Sequence, residues 1–383
     1  MSMKKLSKKM LAVVAAGAMT MGLAMPAFAA DAGGETKKVT QAYISKTYNT
    51  EVGKAMKFNF TATQNTTGAD VVTSTVACKI PSISFTDSET GTNKKVSSEI
   101  TFAPFTEAGK YEYTVKETES NPVITDSAYE KLIMSKAEYK MDVYVVENPV
   151  GTFKVDQIVV NKTKNDKGVD EGGKVDISGD KTKNTFNFVN TYVQEAGTGT
   201  DPTTPDPDYK KNGALKVSKT IDAQGETPST TDSFSFTAKF VFPEGTDANT
   251  LGGVKGNEAD VSLTDGTCTF SLKHGQNMKF TGLPVGTKIT VKETGAVNYK
   301  GSASVVLNGG DAKIVAAGKY HEDLTAVDVD NDKLGQNKNT VDVTNTYNHV
   351  PTTGIIMNTL PYVLMIALCG AALFGFVAFK RRR

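Results

Sequence analysis

The sequence has few of the residues that build metal sites or nucleic-acid surfaces. It contains 3 histidines in 383 residues, and its formal net charge is +1. The histidines, His274, His321 and His349, lack the spacing of metal ligands, and no basic stripe with interleaved aromatic residues is present. A phosphate-binding glycine loop and a nucleophile elbow are also missing. The sequence therefore predicts no metal, no cofactor, no nucleic-acid partner and no conventional enzyme.

The C-terminal segment carries three features in a fixed order. A short motif comes first, formed by Val350, Pro351, Thr352, Thr353 and Gly354. A run without charged residues follows up to Phe379, and the chain ends in four basic residues. The run is about long enough to cross a bilayer as a helix, and the basic end favours the cytoplasmic side. We therefore expect a transmembrane helix over residues 355–379 and a cytoplasmic tail over 380–383.

The motif at residues 350–354 resembles the sorting signal of Gram-positive surface proteins. In that family a sortase cleaves between threonine and glycine and transfers the threonine carbonyl to an amine. This resemblance implies cleavage between Thr353 and Gly354. The family's usual first residue is leucine, whereas Val350 stands here, as in pilin-type signals. The alternative interpretation of the segment is a plain tail anchor.

The N terminus has the layout of a secretory signal peptide. Residues 1–9 are rich in lysine, residues 10–25 are apolar, and Ala27-Phe28-Ala29 provides the small residues of a cleavage site. We predict a signal peptide over residues 1–29, which has no part in the fold. The mature chain would then run from about Ala30 to Thr353.

Cysteine is scarce in that mature chain. Cys369 lies in the C-terminal apolar run, which leaves Cys78 and Cys268, and these fall in two different predicted domains. A disulfide framework is therefore not expected, although the cell exterior is oxidising. An exported protein of this kind needs another source of resistance to unfolding.

Between the two hydrophobic ends the pattern is that of β-strands. Short runs alternate apolar and polar residues, with Gly, Asn and Asp at the breaks. We therefore predict an all-β fold with two tandem β-sandwich domains of antiparallel strands. Only Asp126–Ala137 has a helical pattern. The Lys-, Asp- and Gly-rich stretch between Gly151 and Lys183 is interpreted as a mobile insertion.

Two short landmarks occur twice, in the same order. Val115-Lys116-Glu117-Thr118 recurs as Val291-Lys292-Glu293-Thr294, and Asn190-Thr191-Tyr192 recurs as Asn345-Thr346-Tyr347. The repetition predicts two domains of one fold, over residues 36–193 and 211–348. Residues 194–210 contain three prolines and no apolar pattern, which is typical of an extended linker.

The alternation of side chains along a strand predicts that several polar residues face the core of each domain. Residues two apart in a strand share a face, so a polar residue that follows two alternating apolar residues is predicted to face inward. The inward-facing residues predicted in this way are Lys46, Glu117 and Asn190 in the first domain and Lys219, Glu293 and Asn345 in the second.

Buried polar groups must be paired, and a buried Lys–Glu ion pair is one explanation of each set. A second explanation is chemical. Desolvation favours a neutral lysine and a protonated glutamic acid. A neutral amine can attack the Asn side-chain carbon, while the Glu hydrogen-bonds the amide oxygen and shuttles protons as ammonia leaves. The product is a Lys–Asn isopeptide bond between the first and last strands. Such a bond would constrain the unfolded chain as a disulfide does.

The two domains resemble those of Gram-positive shaft pilins, the streptococcal two-domain major pilin type with intramolecular isopeptide bonds. The resemblance implies Ig-like, CnaB-like sandwiches. It also implies a linking lysine on the first strand, an asparagine on the last strand, and a catalytic glutamate in a Tyr-x-Val-x-Glu-like segment. Those positions are Lys46, Asn190 and Glu117 in the first domain. In the second they are Lys219, Asn345 and Glu293, although the tyrosine is missing there.

A shaft pilin also needs an exposed lysine to accept the threonine of its neighbour. In the resembling pilins a lysine lies seven residues before the first-domain asparagine, and here that position is Lys183. Lys181 and Lys162 are the alternatives, because Lys162 follows Ile158-Val159-Val160-Asn161, which loosely resembles the pilin motif of other pilus families.

The sequence thus predicts a sortase-processed pilus subunit at the cell surface that crosslinks itself. Its expected partners are a sortase, neighbouring subunits and peptidoglycan. The alternative is a wall-anchored monomeric adhesin or minor pilin that binds a ligand on the host surface.

Overall fold

The computed structural model describes residues 38–68, 70–328 and 332–348. Within these ranges the chain is nearly all β, and the predicted fold class is confirmed. None of the helices in this described part combines the length and apolar character needed to cross a membrane. The predicted signal peptide, sorting motif, transmembrane segment and basic tail lie outside it.

The first half of the chain forms two main sheets. The four-stranded sheet has the order β5-β1-β12-β8, the six-stranded sheet has the order β11-β10-β9-β7-β2-β4, and β3 pairs with β6. The strands are β1 (Ser45–Thr50), β2 (Met56–Asn65), β3 (Cys78–Lys79), β4 (Ile83–Phe85), β5 (Gly91–Val96), β6 (Thr101–Phe102), β7 (Gly109–Asn121), β8 (Glu130–Ile133), β9 (Glu138–Asn148), β10 (Thr152–Lys164), β11 (Asp170–Lys174) and β12 (Asn187–Gln194).

The second half repeats this plan after a short helix, α1 (Pro207–Asn212). A seven-stranded sheet has the order β16-β15-β18-β13-β23-β20-β21, and a four-stranded sheet has the order β17-β14-β19-β22. The strands are β13 (Leu215–Asp222), β14 (Ser233–Val241), β15 (Lys255–Gly256), β16 (Ala259–Asp260), β17 (Thr267–Lys273), β18 (Asn277–Thr281), β19 (Lys288–Glu293), β20 (Tyr299–Val306), β21 (Lys313–Ala316), β22 (Leu324–Val327) and β23 (Thr340–Tyr347).

The first and last strands of each half are neighbours, and they run parallel. β1 pairs with β12, and β13 pairs with β23. The prediction of antiparallel strands does not extend to these two strand pairs. Parallel neighbours need a long connection between them, and here nearly the whole half separates the two strands.

The two sheets of each half face each other across an apolar core, as in a sandwich. In the first half Phe60 of one sheet packs on Phe188 of the other, with ring centroids 5.1 Å apart. In the second half Phe240 and Phe280 make the equivalent contact at 5.3 Å. Along β13 buried residues alternate with half-buried or exposed ones, so the parity on which the site prediction depends is present in the structure.

Two stretches differ from their sequence-based interpretation. The segment with a helical pattern, Asp126–Ala137, contains strand β8 instead of a helix, because Glu130–Ile133 pair with the end of β12. The supposed mobile insertion supplies β10 and β11. β10 pairs along nearly all of β9, so its backbone hydrogen bonds are satisfied within the sheet.

The predicted linker begins as part of a buried joint. Residues 194–199 are buried, and their backbone bonds the second half at several points. Ala196 N donates to Leu283 O at 2.9 Å, and Gly197 N donates to Gly335 O at 3.0 Å. The sequence predicted an extended linker because residues 194–210 contain three prolines and no apolar pattern. In the structure, however, the backbone of residues 194–199 forms hydrogen bonds with the facing backbone of the second half.

Candidate functional site

The structure brings the predicted polar set of the first half together. Lys46 comes from β1, Glu117 from β7 in the facing sheet, and Asn190 from β12. Lys46 Nζ donates to Glu117 Oε1 at 3.0 Å and to Oε2 at 2.8 Å. Asn190 Nδ2 donates to Glu117 Oε1 at 2.8 Å. One carboxylate oxygen therefore contacts both the amine and the amide nitrogen.

This cluster is sealed from solvent. Lys46 and Asn190 are fully buried, and the side chain of Glu117 has no exposed surface. Desolvation lowers the pKa of Lys46 to about 8, against the opposing attraction of Glu117. Desolvation also raises the pKa of Glu117 above its usual value. Both shifts favour the neutral forms of the pair, because burial penalises charge.

The second half reproduces the arrangement with Lys219 of β13, Glu293 of β19 and Asn345 of β23. Lys219 Nζ lies 3.0 Å from Glu293 Oε1, and Asn345 Nδ2 donates to the same oxygen at 2.9 Å. All three side chains are buried. Desolvation lowers the pKa of Lys219 to about 8 and raises that of Glu293.

The orientation of the first carboxamide is fixed by its neighbours. The backbone N–H of Ser135 donates to Asn190 Oδ1 at 2.7 Å, so the atom on that side must be the oxygen. Nδ2 faces Glu117 and also contacts Met134 Sδ at 3.2 Å. The expectation that the glutamate bonds the amide oxygen is therefore wrong: the glutamate faces the amide nitrogen.

Each lysine also lies over a phenylalanine ring that the parity argument missed. Lys46 Nζ is 4.3 Å from the centroid of Phe58, and Lys219 Nζ is 4.3 Å from that of Phe234. Two residues further along the same strands, Phe60 and Phe236 pair with the two glutamates in the ladder. A sequence signal for them exists, because Phe-x-Phe occurs at 58–60 and again at 234–236.

The arrangement has the parts needed for amide transfer. The nucleophile is the lysine amine once it has lost its proton, and the electrophile is the Asn side-chain carbon. The shared glutamate oxygen contacts the nitrogen that gives up a proton and the nitrogen that must receive one before it leaves. This contact suits a general acid–base group.

The candidate linking lysines lie apart from both clusters. Lys183 is in the turn before β12, where its backbone N–H bonds Asp180 O at 3.1 Å. Its side chain is 72% exposed, with Nζ 3.7 Å from Asp180 Oδ2. Lys181 is exposed in the same turn. Lys162 is on β10, where its side chain is only 21% exposed and Nζ lies 3.5 Å from Glu171. The lysines of the turn, Lys183 and Lys181, are therefore more exposed than Lys162 on β10.

The strand directions separate Lys183 from the chain's last described residues. β1 and β12 both end at the joint, where Glu51 contacts Lys333 at 3.0 Å and Gln194 O accepts from Val285 N at 2.8 Å. β13 and β23 both begin there and run away from it. Lys183 and Tyr347 therefore lie at opposite ends of the two halves.

Comparison with known protein families gives a match to the second half of the chain. A family model described as a domain of unknown function (DUF7601) matches residues 213–347. No curated protein matches the chain.

Similar solved structures come from pilus proteins. The major pilin of Streptococcus pyogenes is 20% identical, with 81% of this chain and 100% of that chain covered and a TM-score of 0.32. A second major pilin from that organism is 18% identical, with 81% and 98% covered and a TM-score of 0.31. A pilus-presented adhesin is 10% identical, with 81% and 100% covered and a TM-score of 0.27. The function proposed below rests on the two clusters and the sequence, not on these similarities.

Proposed function

We propose that this protein is a structural subunit of a cell-surface pilus, held together by two self-generated isopeptide bonds. The bonds join Lys46 to Asn190 and Lys219 to Asn345. The observation that carries the proposal is the repeated burial of a lysine, a glutamate and an asparagine on the first, middle and last strands. A single buried ion pair needs no asparagine on the same carboxylate oxygen, and its repetition in both halves favours a shared reaction.

The reaction is a single turnover directed at the chain itself, so the protein is not an enzyme and needs no cofactor. In each half the lysine nitrogen bonds the Asn Cγ, the Cγ–Nδ2 bond breaks, and ammonia leaves. The glutamate carries one proton from the amine to the leaving nitrogen. The linkage closes a loop that holds nearly the whole half, and closing long loops lowers the entropy of the unfolded chain most.

The predicted signal peptide and sorting motif support the export and assembly steps of the proposal. The signal peptide would direct export, and a sortase would cleave after Thr353 and join it to an amine of a neighbouring subunit or of peptidoglycan. Lys183 is the proposed acceptor, because it is exposed and lies at the opposite end from Tyr347. This separation supports head-to-tail joining of subunits at the cell surface.

The intact mass of residues 31–349 tests the crosslinking directly. Two linkages, each losing one ammonia, lower the mass by about 34 Da from the sequence mass. Replacing both Glu117 and Glu293 by Gln should abolish the loss. An unshifted mass in the unsubstituted chain would show that the lysines are ordinary ion-pair partners. The sorting motif alone would then remain, and a wall-anchored adhesin would become the better proposal.

A further inference from the structure

We propose that the backbone amide of Ser135 is a catalytic group of the first cluster. It would stabilise the negative charge that forms on Asn190 Oδ1 when Lys46 attacks, and Asp166 would position it. This inference rests on the crosslinking function proposed above. It adds a group that the lysine, glutamate and asparagine pattern does not contain.

The geometry of the amide fits this role. Attack at Cγ turns the carboxamide carbon tetrahedral and places the developing charge on Oδ1, which Glu117 does not touch. Ser135 N lies 2.7 Å from that oxygen, and Ser135 is itself buried. A preorganised donor at this distance in a water-excluded site stabilises an oxyanion strongly.

Asp166 ties the Ser135 amide to the strand that carries Asn190. One carboxylate oxygen, Oδ1, accepts from Ser135 Oγ at 2.6 Å and from Val189 N at 2.8 Å. The Asp166 backbone oxygen accepts from Lys136 N at 3.0 Å. Val189 is the residue before Asn190, so these contacts set the donor against its acceptor. Asp166 touches no reacting atom and is a positioning residue.

The proposed step balances without any co-reactant. The Lys46 Nζ–Cγ bond forms while Ser135 N–H holds the oxygen, and the Nζ proton passes through Glu117 to Nδ2. The carbonyl then re-forms, the Cγ–Nδ2 bond breaks, and ammonia departs. Nothing is oxidised or reduced.

The second cluster lacks an equivalent donor within the described part of the chain. Asn345 Oδ1 is buried there without a hydrogen-bond partner. The residue facing it on β20 is Gly301, which has no side chain to offer. Each lysine lies within 3.0 Å of its glutamate, but only Lys46 Nζ does so in hydrogen-bonding geometry. Only the first cluster, in addition, has a donor on the Asn oxygen. The first linkage is therefore expected to form faster than the second.

A time course separates the two reactions within one molecule. The chain of residues 31–349 is made by cell-free translation, sampled in denaturant and digested. Mass spectrometry then follows the Lys46–Asn190 and Lys219–Asn345 crosslinked peptides. Loss of one oxyanion donor typically slows a reaction by roughly 100-fold or more, so the first linkage should lead the second by about 100-fold.

Variants that alter the contacts of Asp166 with Ser135 and Val189 test its positioning role. In Asp166→Ala the first linkage should slow by about 10-fold while the second keeps its rate. Asp166→Asn retains the accepting oxygen and should restore the rate. Ser135→Ala removes the Oγ contact but keeps the N–H, and it gives an independent test where Asp166→Ala impairs folding. Asp180→Ala is the control, since Asp180 also accepts a backbone amide in a turn of this half.

The outcomes are distinct. Equal rates for the two linkages, or equal slowing of both in Asp166→Ala, would overturn the role of Ser135 and leave the crosslinking function standing. Slowing in Asp166→Asn as large as in Asp166→Ala would remove the positioning role of the accepting oxygen. Absence of both crosslinked peptides at all times would overturn the crosslinking function, and this inference with it.

Discussion

Lys46 and Asn190 are offset by two residues in the parallel register of their strands, because Lys46 pairs with Phe188. Lys219 and Asn345 have the same offset, because Lys219 pairs with Val343. An even offset keeps both side chains on the core face. The glutamate reaches between them from the facing sheet, so each cluster forms only when the two sheets pack with the glutamate opposite the lysine and the asparagine.

Glu117→Gln should abolish the first linkage and leave the second intact. The amide keeps the size of the carboxyl but cannot carry a proton between the two nitrogens. The intact mass should then show a loss of about 17 Da instead of about 34 Da. The free energy of unfolding should fall by about 5 kcal/mol, because the loop closed between Lys46 and Asn190 is longer than the roughly 100-residue loop whose closure is worth about 4.7 kcal/mol.

Glu119→Gln is the matched control for that variant, because Glu119 is exposed on the same strand. It should keep the full mass loss and the stability of the unsubstituted chain. A Glu117→Gln protein that still lost two ammonias would show that the glutamate is not the proton carrier.

The rate of linkage should depend on pH with a maximum. The reactive pair holds one proton, which moves from Lys46 to Glu117 before attack. Above the lysine pKa of about 8 this proton is lost, and below the raised pKa of Glu117 a second proton binds and the amine stays charged. The rate should therefore fall on both sides of a plateau that ends near pH 8.

Refolding of never-folded chain across a pH series, read by intact mass, measures this profile. Asp166 is the other charged group that acts on both members of the pair. A rate that rose steadily through pH 10 would mean that only the free amine matters.

Gly301→Ala should impair the second cluster selectively. A Cβ at this position would lie 3.2 Å from Asn345 Oδ1 and 3.2 Å from Glu293 Oε2, closer than ordinary contact. Overpacking of this kind typically costs about 1–3 kcal/mol. We expect slower formation of the Lys219–Asn345 peptide, measured by mass spectrometry. The Lys46–Asn190 peptide is the internal control, and slowing of both would point to a general folding defect.

Glu195 should make the joint between the halves sensitive to pH. Tyr209 OH and Gly282 N both donate to its Oε1, at 2.7 and 2.6 Å. Burial raises its pKa to about 7 from 4.5. The unfolded chain gives up this proton near pH 4.5 and the folded chain only near pH 7. Stability of the joint therefore falls as pH rises through that window, by about 3 kcal/mol at most.

Glu195→Gln should remove this fall, since the amide oxygen can accept both donors without charge. Amide exchange of Gly282 should be slower in the variant than in the parent at pH 8 and similar at pH 4.5. Glu51→Gln, which changes a half-exposed carboxylate at the same joint, should not reproduce the effect. Identical exchange in parent and Glu195→Gln at pH 8 would rule out the buried charge as its cause.

Lys183→Arg should prevent assembly into covalent polymers. Arginine keeps the positive charge, but its guanidinium stays protonated and is not a nucleophile at neutral pH. With the cognate sortase, the parent should give a ladder of polymers by denaturing electrophoresis and the variant only monomers. Lys181→Arg and Lys162→Arg are the controls, and loss of the ladder in one of them instead would reassign the acceptor.

Much of each cluster could be predicted from the sequence because strand geometry is periodic. The alternation that leads from Leu215 through Val217 to Lys219 fixes the face of the lysine without knowledge of its partners. The repeated Val-Lys-Glu-Thr and Asn-Thr-Tyr motifs then indicated which two other strands contribute the glutamate and the asparagine to each cluster. The residues that the sequence did not predict lie outside the strands, where side chains do not alternate between two faces. Met134 and Ser135 follow β8, and Asp166 is in the turn between β10 and β11.

The joint was missed for a different reason. Gln194 and Glu195 are polar, and polar residues next to a proline-rich stretch are normally solvated. Their burial depends on backbone donors such as Gly282 N and Val285 N. Any residue can present a backbone amide, so the sequence holds no signal for this contact.

The joint also has a mechanical consequence. If tension enters at Lys183 and leaves beyond Tyr347, it runs along β12 and crosses from Lys219 to Asn345 through the second linkage. Both sandwiches are then bypassed by covalent bonds. The stretch from Asn190 to Lys219 lies outside both closed loops and carries the whole load in series. The hydrogen bonds of residues 194–199 would therefore yield before either sandwich, and this short stretch would set how far each subunit extends.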